Sequence, residues 1–226
     1  MNGKCIIITG SRGLIGTELT RYLSQNNKIV ELDYKLGHDL TNEKFVEEFF
    51  KNIEADYLIN CFAINDHIFN DSIKENLFDI SLDTINKYLQ VNIVSLFSVC
   101  RQFAKQKDAK GIVNFASTYS LVSPNPYLYN GGEKNIAYVI SKAAVPQLTK
   151  HLAVHLAPNV RVNCVVPHGI ENNQGEDFKR KFVQLSPIGR MMRKDELNGI
   201  IEFLCSEKSS YMTGSIISID GGWTAW

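Results

Sequence analysis

Tyr138 and Lys142 stand four residues apart in the run Tyr138-Val-Ile-Ser-Lys142. On a helix this spacing puts both side chains on one face, with Cβ atoms about 5–6 Å apart. A free phenol has a pKa of about 10 and is a poor base at neutral pH. A nearby ammonium favours the phenolate and lowers that value. Such a pair could serve as a general acid/base, moving a hydroxyl proton while a hydride passes to an oxidised nicotinamide, whose own charge would help. Taken alone, the pair could also be an exposed helical doublet. Ser117 closes the strand-like run Gly111-Ile-Val-Asn-Phe-Ala-Ser, where its hydroxyl could hydrogen-bond a substrate oxygen. Asn92 falls inside a predicted helix between Val91 and Ile93. A mid-helix asparagine is mildly unfavourable, which points to a local task such as holding a water.

A second constellation is Thr9-Gly10-Ser11-Arg12-Gly13-Leu14-Ile15-Gly16, lying between a predicted strand and a predicted helix. Such a turn can expose backbone N–H groups and seat a pyrophosphate at the helix N-terminus. Gly10 would make the tight turn, Gly13 would let phosphate approach, and Gly16 would let helix pack on strand. A tight turn without a ligand is the plainer alternative. Asp33 follows Gly10 by 33 − 10 = 23 residues, at the end of the second strand. An acid there can accept hydrogen bonds from the adenine ribose and repel a 2′-phosphate, which favours NAD. Arg12 could instead hold that phosphate, so NADP stays possible, and Asp33 could be an ordinary strand-end residue.

Those residues need elements to position them. Short, continuous apolar runs occur at 4–9, Lys28–Leu32, Tyr57–Cys61, Ile112–Phe115, Val160–Val166 and Ile216–Ile219, as in strands buried on both faces. Amphipathic stretches at Leu14–Ser24, Glu43–Ile53, Leu82–Gln106, Ala137–Leu156 and Lys194–Cys205 separate most of them. The alternation predicts an α/β, doubly wound Rossmann fold. Its mostly parallel sheet of six or seven strands is expected to carry helices on both faces. No linker or repeat interrupts the 226 residues, so one domain over 1–226 is expected. Two stretches, about 118–136 and 168–193, lack clear periodicity and follow strands, where ligand-binding loops of such folds lie.

Composition narrows the class. Lys+Arg and Asp+Glu are 24 each, a zero balance that argues against a nucleic-acid partner. No apolar run reaches the ~18 residues of a membrane span, so no membrane partner is expected. The first residues run straight into a strand and leave no room for a signal peptide, so a cytoplasmic location is expected. Cys5, Cys61, Cys100, Cys164 and Cys205 are widely spaced and read as small hydrophobes in a reduced interior. His151 and His155 share a helix face, but no Glu follows the first, and no metal site is expected.

Along nearly its whole length the chain resembles the short-chain dehydrogenase/reductase family. The resemblance is carried by Thr9-Gly10 with the later glycines, Asp39-Leu40-Thr41, Val91-Asn92, Asn114-Phe115-Ala116-Ser117, Tyr138 with Lys142, Arg161-Val162-Asn163, and Thr213-Gly214 with Asp220-Gly221-Gly222. It implies catalysis by Asn92, Ser117, Tyr138 and Lys142. Tyr138 would be the acid/base and Ser117 would position the reacting oxygen. Lys142 would bind the nicotinamide ribose and lower the phenol's pKa, and Asn92 would order a proton-relay water. The resemblance also implies Asp39 as the adenine-contacting acid with Leu40 beside the ring. Cys61, Ala63, Pro167, Gly169 and Ile170 would border the cofactor, with Ser11, Leu14 and Ile15 on the glycine loop.

Several positions depart from the family's pattern. The glycine spacing is that of its extended members, while the length is that of its shorter ones. The usual Asn-Asn-Ala-Gly reads Asn60-Cys61-Phe62-Ala63, and the usual Pro-Gly reads Pro167-His168-Gly169. From Ser117 to Tyr138 is 138 − 117 = 21 residues, longer than usual, so an insertion lies beside the site. Pro146 falls inside the catalytic helix and should kink it past Lys142. The insertion resembles a narrower group, the flagellin-modification protein A-like oxidoreductases of amino-sugar and nonulosonic-acid pathways. Ser117-Thr-Tyr-Ser, Tyr129-Asn-Gly-Gly, Leu148-Thr-Lys and Gly169-Ile-Glu-Asn-Asn-Gln carry that likeness.

Tyr119, Tyr127, Tyr129, Asn125, Asn130, Glu133 and Lys134 would face a ligand from the insertion. Aromatic faces with amides and charges suit a sugar or amino-sugar better than a lipid. Tyr119, Tyr129, His168 and Asn172 are the expected substrate contacts, and the loop carrying Glu171, Asn172 and Phe178 could close as a lid. The insertion could instead pack on a neighbouring subunit, and His168 could merely replace a turn glycine. Three functions stay in view: a dehydrogenase/reductase, an epimerase or dehydratase recycling bound NAD, and a cofactor-binding regulatory protein without turnover. The family resemblance implies a homodimer or homotetramer, with Leu82–Gln106 and Ala137–Leu156 as candidate surfaces.

Overall fold

The computed structural model describes residues 1–65, 76–130 and 132–226. Its sheet consists of β1 Cys5–Thr9, β2 Lys28–Leu32, β3 Tyr57–Asn60, β4 Gly111–Phe115, β5 Arg161–Pro167 and β6 Ile216–Ile219. All neighbouring pairs are parallel, in the order β2-β1-β3-β4-β5-β6. Among the described residues the sheet therefore has six strands. The order reverses between β1 and β3, and a ligand crevice forms outside the carboxyl ends at such a point.

Strand alternation builds two cores, because successive side chains point to opposite faces. Ile7, Leu58, Ile112, Val162 and Cys164 meet Val46 and Phe50 of α2 (Glu43–Lys51), Val99 and Phe103 of α4 (Ser95–Phe103), and Val145 and Leu152 of α5 (Ile136–Leu156). Ile6, Ile8, Ile59, Val113 and Val165 meet Leu19 and Leu23 of α1 (Leu14–Leu23), and Ile201 and Leu204 of α7 (Asn198–Leu204). Both sheet faces are thus covered by helices.

Three expectations change. The stretch from 82 is not one regular helix: α3 (Leu82–Leu89) passes through a π-helical turn, Gln90–Val94, before α4, which ends at Phe103. The 168–193 stretch is not all loop, since α6 (Glu176–Leu185) lies within it, burying Phe182. In α7's region, the turn Lys194–Leu197 is a 3-10 turn ahead of the helix. Helix α5 continues through Pro146. Among the described residues no helix is long and apolar enough to cross a membrane.

A buried polar chain crosses the sheet below the crevice. The Thr9 hydroxyl donates to Asn60 Oδ1 (3.0 Å), Asn60 Nδ2 donates to Asn114 Oδ1 (2.9 Å), and Asn114 Nδ2 donates to Thr149 Oγ1 (3.1 Å). It joins β1, β3, β4 and α5 at the level where site residues emerge. An unsatisfied buried polar group costs far more than a hydrogen bond contributes. Asn114→Ala takes a partner from Thr149 and one from Asn60, whose Nδ2 keeps its bond to the Cys100 sulfur (3.3 Å), and a loss of about 1–3 kcal/mol is expected. A lower urea midpoint at unchanged slope would register it; an unmoved midpoint would count against this role.

Candidate active site

The glycine loop is built by close approach. Gly10 has φ +66°, and a Cβ there would lie 2.5 Å from the Phe62 backbone nitrogen. A Cβ on Gly16 would run into the Gly10 carbonyl, 2.8 Å from its carbon. Gly13 is different: its φ is −82°, and a Cβ would meet only the Gly10 oxygen at 3.2 Å. It is the N-cap of α1, which has no side-chain cap and no acid in its first turn. By contrast α2 is capped by Asn42 with Glu43 beside it, and α3 by Ser81 with Asp83. The N–H groups of Leu14, Ile15 and Gly16 therefore keep their capacity for an anion. Ser11 Oγ is buried with no hydrogen-bond partner among the described residues. A narrow cradle, an uncapped helix end and an unpaired hydroxyl fit a pyrophosphate.

Asp33 stands just after β2, beside the glycine loop. One carboxylate oxygen accepts the Arg12 backbone N–H (2.9 Å) and the other that of Lys35 (2.8 Å). It therefore fastens the glycine loop to β2. The Arg12 guanidinium turns instead to Glu31 (3.0 Å). Asp39 is exposed and accepts from the Thr41 N–H (2.9 Å) and hydroxyl (2.7 Å). Leu40 is buried in the core with Val46 and Phe50, so its side chain packs inward rather than lying open as a platform for a ring. Cys61 follows β3, with its N–H on the Thr9 carbonyl (3.0 Å) and its thiol pushed up by burial, and Ala63 is exposed beyond it.

Tyr138, Ser117 and Lys142 come together at the carboxyl end of β4. Tyr138 is 9% exposed and packs with Tyr88 and Ala137. Burial pushes its phenol up to about 12, the Ser117 hydrogen bond pulls down, and nearby Tyr119 pushes up. Ser117 also accepts the Tyr119 N–H (3.3 Å). Lys142 is buried, donates from Nζ to the Phe115 carbonyl (2.8 Å), and stands 6.0 Å from the centre of the Tyr138 ring. Burial pulls its ammonium down to about 8. Asn92 lies in the π-helical turn. Its Oδ1 accepts the Ile64 N–H (2.8 Å), while Nδ2 donates to the Ile64 carbonyl (3.1 Å) and to Ser141 (2.9 Å). Both amide hydrogens are committed, so the side chain fastens the chain leaving β3 to α5; the implied role in ordering water does not fall to its amide nitrogen.

The two irregular stretches form one wall. Tyr119 and Tyr129 share a hydrogen bond between their hydroxyls, and Tyr129 packs on Phe178 of α6. Asn130 donates to Asp177 (2.8 Å), and Tyr127 to Gln184 (3.2 Å). Gly131, in the Tyr129–Gly132 run, lies outside the described residues. His168 is buried between Trp223 (4.3 Å between ring centres) and Phe182 (5.0 Å), and its Nδ1 bonds the Thr118 hydroxyl. Burial holds its imidazole down at about 4, so it is neutral at physiological pH. Pro167 ends β5. Gly169 has φ +55°, and a Cβ there would enter the Phe182 ring; Ile170 bridges to Met192. Asn172 sits ahead of α6 with its N–H on Gln174 (2.7 Å), and no contact among the described residues joins it to Tyr138.

Several participants escaped the sequence reading. Trp223 and Phe182, which sandwich His168, carry no spacing signal linking them. Helix α6 had one: Phe178, Phe182 and Leu185 fall at i, i+4 and i+7, behind an acidic first turn.

A family model described as enoyl-(acyl carrier protein) reductase matches residues 14–224. The chain is 31% identical to 3-oxoacyl-acyl-carrier-protein reductase FabG of Aquifex aeolicus, covering 97% of this chain and 87% of that one. It is 32% identical to 2-dehydro-3-deoxy-D-gluconate 5-dehydrogenase of Dickeya dadantii, covering 84% and 72%. An uncharacterized short-chain type dehydrogenase/reductase of Sinorhizobium fredii is 29% identical over 98% of this chain, which spans 44% of that protein's length. A crystal structure of a short chain dehydrogenase from Leptospira borgpetersenii with bound NAD+ superposes with a TM-score of 0.87. It is 31% identical and covers 99% of this chain and 94% of that one.

Proposed function

The chain belongs to the short-chain dehydrogenase/reductase family, and on that footing we propose that it interconverts a secondary alcohol and a ketone on a polar, sugar-like substrate. It is an NAD(P)-dependent oxidoreductase. The observation that carries the reading is the meeting of Tyr138, Ser117 and Lys142 beside a wall of phenols and amides. When bound, the nicotinamide takes up or supplies the hydride. Tyr138 moves the hydroxyl proton, and the Ser117 hydroxyl holds the reacting oxygen against it. Lys142 binds the ribose and adds positive charge. Leu14, Ile15 and Gly16 receive the pyrophosphate with Ser11, Arg12 and Gly13, and Cys61, Ala63, Pro167, Gly169 and Ile170 line the nicotinamide side. Asp33 with Arg12 turned to Glu31 supports NAD over NADP. Asp39 lies further along the same edge.

Tyr119 and Tyr129, with Asn130 behind them, support a polyhydroxylated ligand, and His168 and Asn172 complete its surroundings in this reading. A Dickeya relative named for a sugar-acid substrate agrees with that class; the Aquifex relative, named for an acyl-carrier-protein substrate, marks the competitor. The narrower likeness to the flagellin-modification group belongs to the same proposal. A dimer or tetramer would bury Val94, Phe97 and Val154, exposed on the π-helical turn, α4 and α5. Five free cysteines support a reducing, cytoplasmic setting.

The test is a panel of sugar acids, alditols, amino sugars and nucleotide sugars against apolar ketones and acyl thioesters, read by absorbance of reduced nicotinamide with each cofactor. Turnover confined to apolar ketones or thioesters would remove the sugar reading; a lower Michaelis constant for NADP would overturn the role of Asp33. The pH profile should have a definite sign. A phenol pushed up to about 12 by burial stays protonated through neutral pH and is ready to donate. Reduction should therefore be flat near neutrality. Oxidation, which needs the phenolate, should climb about tenfold per pH unit until it levels off at the apparent pKa of the loaded enzyme. An oxidation rate that falls with rising pH would exclude Tyr138 as the base.

A further inference from the structure

We propose that Lys134 is a second cation acting on Tyr138: its ammonium, seated over the phenol ring by Asn65, favours the phenolate and sets the pH at which the acid/base works. The proposal rests on Tyr138 being that acid/base and deepens the reading. Lys134 Nζ lies 4.5 Å from the centre of the Tyr138 ring, nearer than Lys142 Nζ at 6.0 Å. Lys134 is 8% exposed, deep for a lysine, and its ammonium donates to Asn65 Oδ1. A cation over an aromatic face is attracted to the ring, more so when desolvated. The attraction grows when the ring carries a negative charge, so the contact stabilises phenolate over phenol.

Among the described residues, the other groups placed against Tyr138 are neutral apart from Lys142. From the turn after β4 come Ser117, which bonds the phenol, and Tyr119, which opposes its ionisation. Tyr129 lies behind Tyr119, with neutral His168 against the other side of Tyr119. Tyr88 packs from α3. Lys142, from α5, spends a hydrogen bond on the Phe115 carbonyl. Burial drives the phenol up, and of the two ammonium groups over the ring Lys134 stands nearer its centre.

The seat is itself positioned. Asn65 follows Ile64, whose N–H and carbonyl are both held by Asn92 (2.8 and 3.1 Å). Asn92 thus acts on Tyr138 through Ile64, Asn65 and Lys134. This makes Lys134 a positioning residue supplied by the insertion between Ser117 and Tyr138.

The experiment is a pH titration of the protein carrying carbon-13 at the tyrosine Cζ, loaded with NAD+, with the Tyr138 resonance assigned by Tyr138→Phe. In Lys134→Gln the Tyr138 pKa should rise by about one to two pH units. Lys134→Arg, which keeps the charge, should titrate close to the parent. A Gln variant that titrates with the parent overturns the proposal. So does a phenol that ionises in neither protein before unfolding. An unmoved titration with a raised KM for anionic substrates alone also overturns it, placing Lys134 on the substrate instead. Should the Gln variant not fold, Asn65→Ala is read in its place, and an unmoved titration there has the same force. No substrate enters the titration itself, so an unshifted phenol in an active enzyme rejects this proposal alone, and absent turnover with a shifted phenol rejects only the proposed activity.

Discussion

Tyr138→Phe should lower kcat by about a hundred- to ten-thousand-fold while leaving NAD+ affinity within a few-fold of the parent. The substitution removes one oxygen and nothing else. The ring stays packed against Tyr88 and Ala137, so the fold should survive, which circular dichroism and the melting temperature would check. In the proposed reading the pyrophosphate cradle lies on the glycine loop and α1, and none of their residues is among the described groups packed with the phenol. Catalysis should therefore be lost without loss of binding. The Ser117 hydroxyl keeps its backbone donor, the Tyr119 N–H, and remains in place. Turnover at parental speed would remove Tyr138 from the chemistry.

The glycine loop carries the second large effect, and two substitutions separate its roles. Gly16→Val drives a side chain onto the Gly10 carbonyl, a backbone group that cannot yield without moving the loop. It should lose both stability, by about 1–3 kcal/mol, and dinucleotide binding. Gly13→Ala meets only a tight contact at 3.2 Å and sits at an ordinary φ of −82°. Its methyl group stands at the uncapped end of α1, where the proposed reading brings the phosphates. It should keep the parental melting temperature and weaken NAD+ at least tenfold, about 1.4 kcal/mol. Calorimetric titration and thermal unfolding of the pair would check this; equal NAD+ affinity in Gly13→Ala and the parent would mean that the helix end is not the phosphate site.

Most of the sheet was legible because its strands are buried on both faces. Runs such as Cys5–Thr9 and Tyr57–Asn60 leave no polar alternation to confuse with a helix. Helix α6 was hidden by Lys179, Arg180 and Lys181, which interrupt the eye between Phe178 and Phe182 although the apolar spacing is helical. The π-helical turn at Gln90–Val94 shifts register by a single residue, too little to disturb a hydrophobic pattern. In the site, Ser117, Tyr138 and Lys142 were foreseeable from strand end and helix face. What those groups bond was not. The Phe115 carbonyl that holds Lys142, and the Ile64 backbone that holds Asn92, lie 27 and 28 residues away along the chain. Such partners are chosen by sheet order, which single-chain periodicity does not encode. Leu40 shows the converse: its place in the motif suggested a cofactor face, but the packing of α2 on the sheet takes it inward.

The most direct test is a crystal structure of the protein with NAD+. The account predicts the pyrophosphate against the backbone N–H groups of Leu14, Ile15 and Gly16. The nicotinamide should lie across the carboxyl ends of β4 and β5, with the Tyr138 hydroxyl facing its reactive carbon and the Lys142 ammonium on the ribose. A dinucleotide bound away from the glycine loop, or a Tyr138 hydroxyl turned from the nicotinamide ring, would contradict it.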